Sequence, residues 1–155
     1  MRQHALASRN RQTGVAIVEF AIGLPLLLLL MLATAEFGRI MVQYETLTKA
    51  VRDAGRYLAS GAAVGTTDVV SITPQKRLGA TNLVVYGNVN GTGTALLPGL
   101  SPAAVTVSAP GNGYISVAAT YTYTPIIGPT LPSFGFGNSI PLAMNLNAAV
   151  VMRAL

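Results

Sequence analysis

Residues 14–35 read GVAIVEFAIGLPLLLLLMLATA, an apolar run in which Glu19 is the only charged residue. At a rise of about 1.5 Å per residue, a helix from Val15 to Ala35 extends about 31 Å, which is enough to cross the apolar core of a bilayer. A carboxylate within such a run costs roughly 2.5–3.5 kcal/mol near the bilayer centre and less near an end. Glu19 is therefore a candidate functional residue.

The charges on the two sides of the apolar run differ. Three arginines and no acidic residue lie within residues 1–13, whereas residues 36–45 carry two glutamates and one arginine. Positive charge next to a membrane span is retained on the cytoplasmic side. This pattern predicts a single-pass protein with a cytoplasmic N-terminus and the rest of the chain outside.

The composition gives little support to catalysis or to nucleic-acid binding. The net charge is +5, but three of the basic residues stand in the first 13 positions. There is no cysteine, the only histidine is His4, and no charged residue lies between Arg77 and Arg153. General acid–base catalysis and metal binding both need such groups. We therefore expect no catalytic residue, no cofactor, no metal site and no nucleic-acid partner.

The helical pattern of the run continues beyond residue 35. Apolar residues recur at spacings of three and four, which predicts one helix of about 45 residues from Val15 to Ala59, amphipathic over 36–59. Ser60 and Gly61 end it. The apolar positions are Phe37, Ile40, Met41, Tyr44, Leu47, Val51, Ala54 and Leu58.

The rest of the chain reads as strands. Segments rich in Val, Ile, Thr and Tyr, separated by Gly, Pro and Asn, predict strands at 69–73, 83–86, 104–109, 114–124 and 144–152. Pro110–Gly113 is typical of a hairpin turn, and 125–141 of a long loop. Alternation predicts one buried face for the central strand, made of Ile115, Val117, Ala119, Tyr121 and Tyr123.

These patterns together predict an α+β fold, in which a long N-terminal helix precedes a small, mainly antiparallel β-sheet domain. The expected divisions are a basic leader (1–14), a transmembrane helix (15–35), an amphipathic helix (36–59) and a β-rich domain (60–155). Glu36 and Arg39 stand three residues apart, which predicts an ion pair on the helix surface.

Two other interpretations of the N-terminal half stay open on the residues alone. One is an ordinary signal anchor that tolerates an acid near the interface. The other takes Ala33-Thr34-Ala35 as a signal-peptidase site, which would release a secreted protein that begins at Glu36 and binds through its β-rich domain. The unbroken helical pattern across Ala35 disfavours the second.

The stretch from Gly14 to Phe20 resembles the prepilin peptidase motif of type IV pilins, in which a glutamate is the fifth residue after the cleaved glycine. The wider pattern is similar to TadE/TadG-like minor pseudopilins of tight adherence (Flp, type IVb) pilus systems. The stretches that carry it are 11–14, 18–21, 24–25, 36–39, 54–57 and, more weakly, 121–125 and 150–153.

The resemblance implies a function in pilus assembly. A prepilin peptidase would cut between Gly14 and Val15, and Glu19, next to Phe20, would pair with the N-terminal ammonium of a neighbouring subunit and fix its register. The implied partners are that peptidase, a major pilin, related minor pseudopilins and the inner-membrane assembly machinery. The implied location is the inner membrane, with the C-terminal domain in the periplasm and the protein incorporated in the pilus or retained in its machinery.

Overall fold

The computed structural model of the protein describes residues 9–60, 62, 70–131 and 137–155. The chain divides into two compact units, with the boundary between Gly38 and Arg39. The first unit consists of helix alone in its described part, and the second holds the β-sheet. This is the α+β class that the sequence predicts, with one additional helix.

The N-terminal helix, α1, runs without a break from Arg9 to Ala59. Its end agrees with the prediction, and Ser60 closes it with a backbone hydrogen bond to the carbonyl of Arg56. Its start lies six residues earlier than the predicted Val15. The reason is that residues 9–13 contain no helix breaker, and a single glycine at position 14 lowers helix stability by only about 1 kcal/mol.

A second helix, α2, spans Pro74–Tyr86, so the strand predicted at 83–86 is wrong. Its ends carry standard signals. The hydroxyl of Thr73 accepts a hydrogen bond from the backbone N–H of Lys76, Pro74 occupies the first turn, and Gly87 adopts a left-handed conformation with φ of 73°. These capping interactions outweigh the strand preference of the short apolar run Leu83–Tyr86, because tertiary packing decides between helix and strand for such runs.

The strand predicted at 69–73 is likewise absent from the described part of that stretch. Val69 lies outside the described residues, and Val70 forms only an isolated bridge. Thr73 is committed to capping α2. The segment is therefore a connection into the helix.

Five strands follow, after a short 3₁₀ turn at Pro102–Ala104. They are β1 (Val105–Gly111), β2 (Tyr114–Thr122), β3 (Thr130–Leu131), β4 (Ile140–Pro141) and β5 (Asn145–Arg153). The main sheet has the order β1-β2-β5 and is antiparallel throughout, whereas β3 and β4 form a separate antiparallel pair. This pair lies in the segment predicted as a long loop.

The predicted hairpin between β1 and β2 is confirmed. Asn112 and Gly113 both have positive φ angles, of 52° and 75°. Two consecutive positive angles define the type I′ turn, whose twist matches that of the flanking strands. Only a residue that tolerates the left-handed region, such as Asn or Gly, fits each position.

The core lies between the helices and one face of the sheet, and the alternation predicted for β2 is confirmed. All five residues of its predicted inner face are buried, and they form one cluster with Leu47, Val51, Ala54 and Leu58 of α1. Ala80, Val84 and Val85 of α2 complete this cluster.

Part of the apolar stripe predicted for 36–59 does not face this core. Phe37, Met41 and Tyr44 are exposed, whereas Ile40 is half-buried and packs against the core cluster. The inward line of the helix instead passes through Gln43 to Leu47, at the helical spacing of four residues. The prediction was wrong here because spacing alone does not say which of two adjacent helix faces is covered.

Close packing of α1 on β5 depends on Gly55. A Cβ atom at this position would lie 2.8 Å from Cγ1 of Val150 and 3.3 Å from the sulfur of Met152. Val150 is β-branched and has little rotamer freedom with which to move aside. The absence of a side chain at Gly55 therefore sets the distance between helix and sheet.

We expect Gly55→Ala to lower the free energy of unfolding of the full-length protein in detergent micelles by about 1–3 kcal/mol, the usual cost of overpacking. Gly38→Ala on the same helix is the matched control, because nothing lies within 4 Å of a Cβ at Gly38. There, alanine should be neutral or stabilising by up to about 1 kcal/mol. Thermal unfolding followed by circular dichroism measures both, and equal effects of the two substitutions would contradict this account.

Candidate processing and assembly site

The segment that resembles a processing motif lies on the exposed surface of α1. Val15, Glu19 and Phe20 are all exposed. Because Val15 and Glu19 are four residues apart in a helix, they lie on the same face, one turn from each other. The structure thus brings together the residue that would become the new N-terminus and the acid that would pair with such a terminus.

Gly14 has no packing role in the described structure. No heavy atom lies within 4 Å of the position that a Cβ would occupy there. Glycine within a helix costs about 1 kcal/mol relative to alanine, so this position gains nothing from glycine inside its own chain. A requirement for glycine at position 14 would have to come from another molecule.

Gly14 also weakens the helix at the bond that would be cut. Residues 13, 14 and 15 are all helical. A peptidase must pull its scissile bond away from the helical backbone, and the low helix preference of glycine reduces the free energy this requires. The position of Gly14 is therefore compatible with cleavage after a local unwinding.

The Glu19 carboxylate has no hydrogen bond and no ion pair among the described residues. Its neighbours on the helix surface are exposed apolar side chains, among them Val18, Phe20 and Ile22. A charge in such surroundings is stable only if another group compensates it. The compensating group for Glu19 must come from a lipid headgroup, water or another chain.

One helix in the described part of the chain is long and apolar enough to cross a membrane, and it contains Gly14–Ala59. None of its most apolar window is buried within the protein. The exposed leucines at 26, 27, 28, 30 and 32 continue this surface. The first unit therefore presents an apolar helix to its surroundings, as expected for a membrane anchor.

The rival signal-peptidase site lies within the same uninterrupted helix. Ala33, Thr34 and Ala35 are helical, and the hydroxyl of Thr34 donates a 2.8 Å hydrogen bond to the carbonyl of Leu30. This bond satisfies the hydroxyl inside an apolar environment. Helical structure continues for more than 20 residues beyond Ala35, so no turn or extended segment marks a cut there.

Glu36 does not lie on the helix surface, where the sequence predicted it to form an ion pair with Arg39. Glu36 is only 4% exposed, which removes it from the surface. Within the described part of α1, Glu45 and Lys49 form an exposed ion pair, with 2.8 Å between Oε1 and Nζ. The hydrogen bond from Lys49 and its positive charge hold the pKa of the Glu45 carboxyl below its usual value. Full exposure to water makes this pair a weak contribution to stability.

One polar side chain of α1 lies inward in the second unit. Gln43 is buried, and its side-chain oxygen Oε1 has no hydrogen-bond partner in the described part of the chain. Arg39, one turn earlier, is half-buried and close enough to Tyr121 for its charge to act on the phenol. Positions 36, 39 and 43 share one helix face, but their spacing alone does not say that this face is the covered one.

Tyr121 ties the end of β2 to the loop before the 3₁₀ turn. Its hydroxyl donates a 3.1 Å hydrogen bond to the carbonyl of Pro98. Burial raises the pKa of Tyr121, and the positive charge of Arg39 partly opposes this increase. The phenol therefore stays protonated at neutral pH and acts as a structural donor.

The second unit offers few groups for chemistry. No group of three or more His, Cys, Asp or Glu residues able to hold a metal ion occurs within the described residues. The candidate functional features of the first unit are the exposed Gly14–Phe20 segment and the apolar helix that follows it.

A comparison with known proteins found one match, to the segment that contains these features. A family model described as TadE-like protein matches residues 14–56, which cover Gly14, Glu19 and the start of the second unit. Searches of curated proteins and of solved structures found no match. The apolar helix and this match together fit a membrane protein related to pilus assembly. Over residues 14–56 the chain is similar to the TadE-like family, in agreement with the resemblance seen in its sequence.

Proposed function

We propose that this protein is a minor pseudopilin that acts in the assembly of a tight adherence (Flp-type) pilus and is matured by cleavage after Gly14. The observation that carries this proposal is the carboxylate of Glu19, which has no partner among the described residues and lies one helical turn from Val15 on an exposed apolar helix. The TadE-like match over 14–56 supports it. The role is structural, and no catalytic function is proposed.

The chemistry of the segment suggests how assembly would use it. Cleavage between Gly14 and Val15 converts an uncharged amide into an ammonium group at the start of the apolar helix. Glu19 of one subunit and the Val15 ammonium of its neighbour would neutralise each other, because each alone is costly in apolar surroundings. Pairing occurs in only one axial register, so this contact would specify how adjacent helices align.

The proposed location follows from the anchor. Residues 15–35 cross the inner membrane, the basic leader stays in the cytoplasm, and the β-rich unit lies in the periplasm. The proposed partners are a prepilin peptidase, a major pilin, related minor pseudopilins and the inner-membrane machinery that extracts subunits from the bilayer.

The mass of the protein recovered from its native host tests this proposal. Cleavage after Gly14 leaves Val15 as the first residue, with or without methylation, and the protein stays in the membrane or pilus fraction. A signal anchor retains the leader. Signal-peptidase cleavage after Ala35 leaves a soluble protein that begins at Glu36, and that result would refute the pseudopilin proposal.

A further inference from the structure

β5 is an edge strand of the main sheet. The strand order is β1-β2-β5, so β5 pairs with β2 on one side, and no described strand pairs with it on the other. Its nine residues pair with β2 without a bulge. An edge strand presents a row of backbone N–H and C=O groups that a strand of another chain can bind. The free side of β5 is therefore a candidate surface for strand pairing.

The two ends of β5 show which of its backbone groups face outward. The N–H of Tyr123 donates to the carbonyl of Met144, and the N–H of Ala154 donates to the carbonyl of Gly113. Both contacts continue the register of β2 with β5, and bonded pairs alternate with non-bonded pairs in an antiparallel ladder. The even-numbered residues of β5 therefore bond to β2. The odd-numbered residues direct their N–H and C=O groups to the free side, and all are exposed, namely Asn145, Asn147, Ala149, Val151 and Arg153.

On the opposite edge of this sheet, formed by β1, outward backbone groups are already bound. The same alternation directs the backbone groups of Val105 and Val107 away from β2. The N–H of Val105 donates to the carbonyl of Pro102, and the carbonyl of Val107 accepts a hydrogen bond from the guanidinium of Arg77. A further strand would have to displace these contacts.

β1 carries two more features that oppose strand pairing. Its pairing with β2 shifts between Ser108 and Gly111, and Pro110, which has no N–H, lies within this irregular stretch. Bulges, prolines and charged side chains are the means by which natural proteins protect sheet edges. β5 has none of these features from Asn145 to Met152. Among the described residues, the sheet thus has one protected edge and one open edge.

We propose that β5 pairs with β5 of a second copy of this chain, in antiparallel orientation about a two-fold axis at Ala149. This pairing joins two three-stranded sheets into one continuous sheet. It uses all nine residues of the strand and places Ala149 of one copy opposite Ala149 of the other. The proposal concerns the second unit and does not depend on the proposed function in pilus assembly.

The side chains of β5 suit this pairing. Val150 and Met152 are only half-buried beneath α1, and the second copy would place its Ala148 and Leu146 beside them. On the open face, Arg153 of one copy lies opposite Asn145 of the other. The two arginines are then at opposite ends of the paired strands, about 27 Å apart, so no like charges face each other.

A second copy accounts for both edges of the sheet, whereas other occupants of β5 do not. Pairing of β5 with β1 of another copy would displace Arg77 from the carbonyl of Val107. A single strand from a different protein would cover β5 but would present its own outer side as a new open edge. The two-fold arrangement uses both β5 edges and leaves only the protected β1 edges, so it closes as a dimer.

A charge at the two-fold position tests this proposal in the full-length protein in detergent micelles. Ala149→Lys places two ammonium groups directly opposite each other, and we expect it to abolish the dimer that the wild-type protein forms at micromolar concentration. Thr106→Lys is the matched control, because Thr106 is exposed and lies in the same cross-strand row, next to Ala118, but on β1. That variant should remain dimeric. Sedimentation velocity measures the oligomeric state of each protein.

Mixing of opposite charges separates loss of the interface from loss of the fold. Ala149→Lys and Ala149→Glu should each be monomeric, and their mixture should regain the dimer, because unlike charges directly opposite favour pairing. A mixture that stays monomeric would overturn the proposal, and a dimer that persists in Ala149→Lys would assign it to another surface and overturn it as well.

A monomeric wild-type protein would also overturn the proposal, and hydrogen exchange would then identify the occupant of the edge. Slow exchange at the amides of Ala149 and Val151 in that monomer would indicate that another segment of the same chain covers β5. Fast exchange there would leave the edge open to a different protein.

Discussion

Gly14→Val is expected to leave the leader attached when the protein is produced together with its prepilin peptidase. The structure makes this a sharp test, because no described residue, apart from the backbone of the helix itself, lies within 4 Å of a Cβ at Gly14. Valine would therefore be accepted by the fold, and any loss of cleavage would arise at the enzyme. Two effects of valine would both lower the rate of cleavage by the peptidase. Valine places a bulkier side chain beside the scissile bond, and it makes the backbone stiffer.

The expected loss is large. Displacement of a reacting bond by about 1 Å in an enzyme lowers the rate on the order of 100-fold. Gly23→Val is the matched control, since Gly23 lies on the same helix and also has no atom within 4 Å of a Cβ. That variant should mature normally. Anti-tag blotting that separates the precursor from the mature form gives the measurement, and normal maturation of Gly14→Val would count heavily against the prepilin interpretation.

Much of the second unit could be predicted because its signals are local. The alternation over residues 114–124 identified five buried residues, four in β2 and Tyr123 directly after it, since a strand presents every second side chain to the same side. The Asn-Gly pair in the β1–β2 turn fixed the hairpin, because few residues adopt two positive φ angles in succession.

The incorrect predictions concern segments whose secondary structure depends on tertiary contacts. The run Leu83–Tyr86 is apolar and β-branched in part, yet the caps at Thr73 and Gly87 and burial of Val84 and Val85 make it helical. The Thr-Pro pair at 73–74 and the glycine at 87 were available in the sequence as helix boundaries. They predict α2 correctly once they are weighed above the strand preference of four residues.

The outer surface of residues 41–44 could not have been assigned from spacing. Both faces of the helix carry apolar residues there, and only the position of the sheet decides that Gln43 faces inward and Val42 outward. The candidate site, in contrast, could be proposed from the sequence alone. Gly14 and Glu19 were proposed from their spacing, and the structure adds that both are exposed in a helix.

Replacement of Glu19 should separate maturation from assembly. Glu19→Ala and Glu19→Gln are expected to be cleaved after Gly14, because the carboxylate is on the fifth residue after the cleaved glycine, away from the scissile bond. Neither variant should support pilus formation in a strain that lacks the wild-type protein. Removal of one member of an ion pair in apolar surroundings costs about 3–5 kcal/mol, because the other charge is left uncompensated. Such a cost corresponds to a loss of incorporation on the order of 100-fold or more.

Glu45→Ala is the matched control for this prediction. It removes a carboxylate from the same helix, but one that is fully exposed and pairs with Lys49 in water. Piliation should be unaffected by it, whereas Glu19→Asp should restore only part of the function, since its shorter side chain reaches less far. Electron microscopy of surface pili and mass analysis of the N-terminus provide the two readouts. Full piliation by Glu19→Ala would exclude the ion-pair role, and a failure of cleavage in that variant would assign Glu19 to recognition by the peptidase instead.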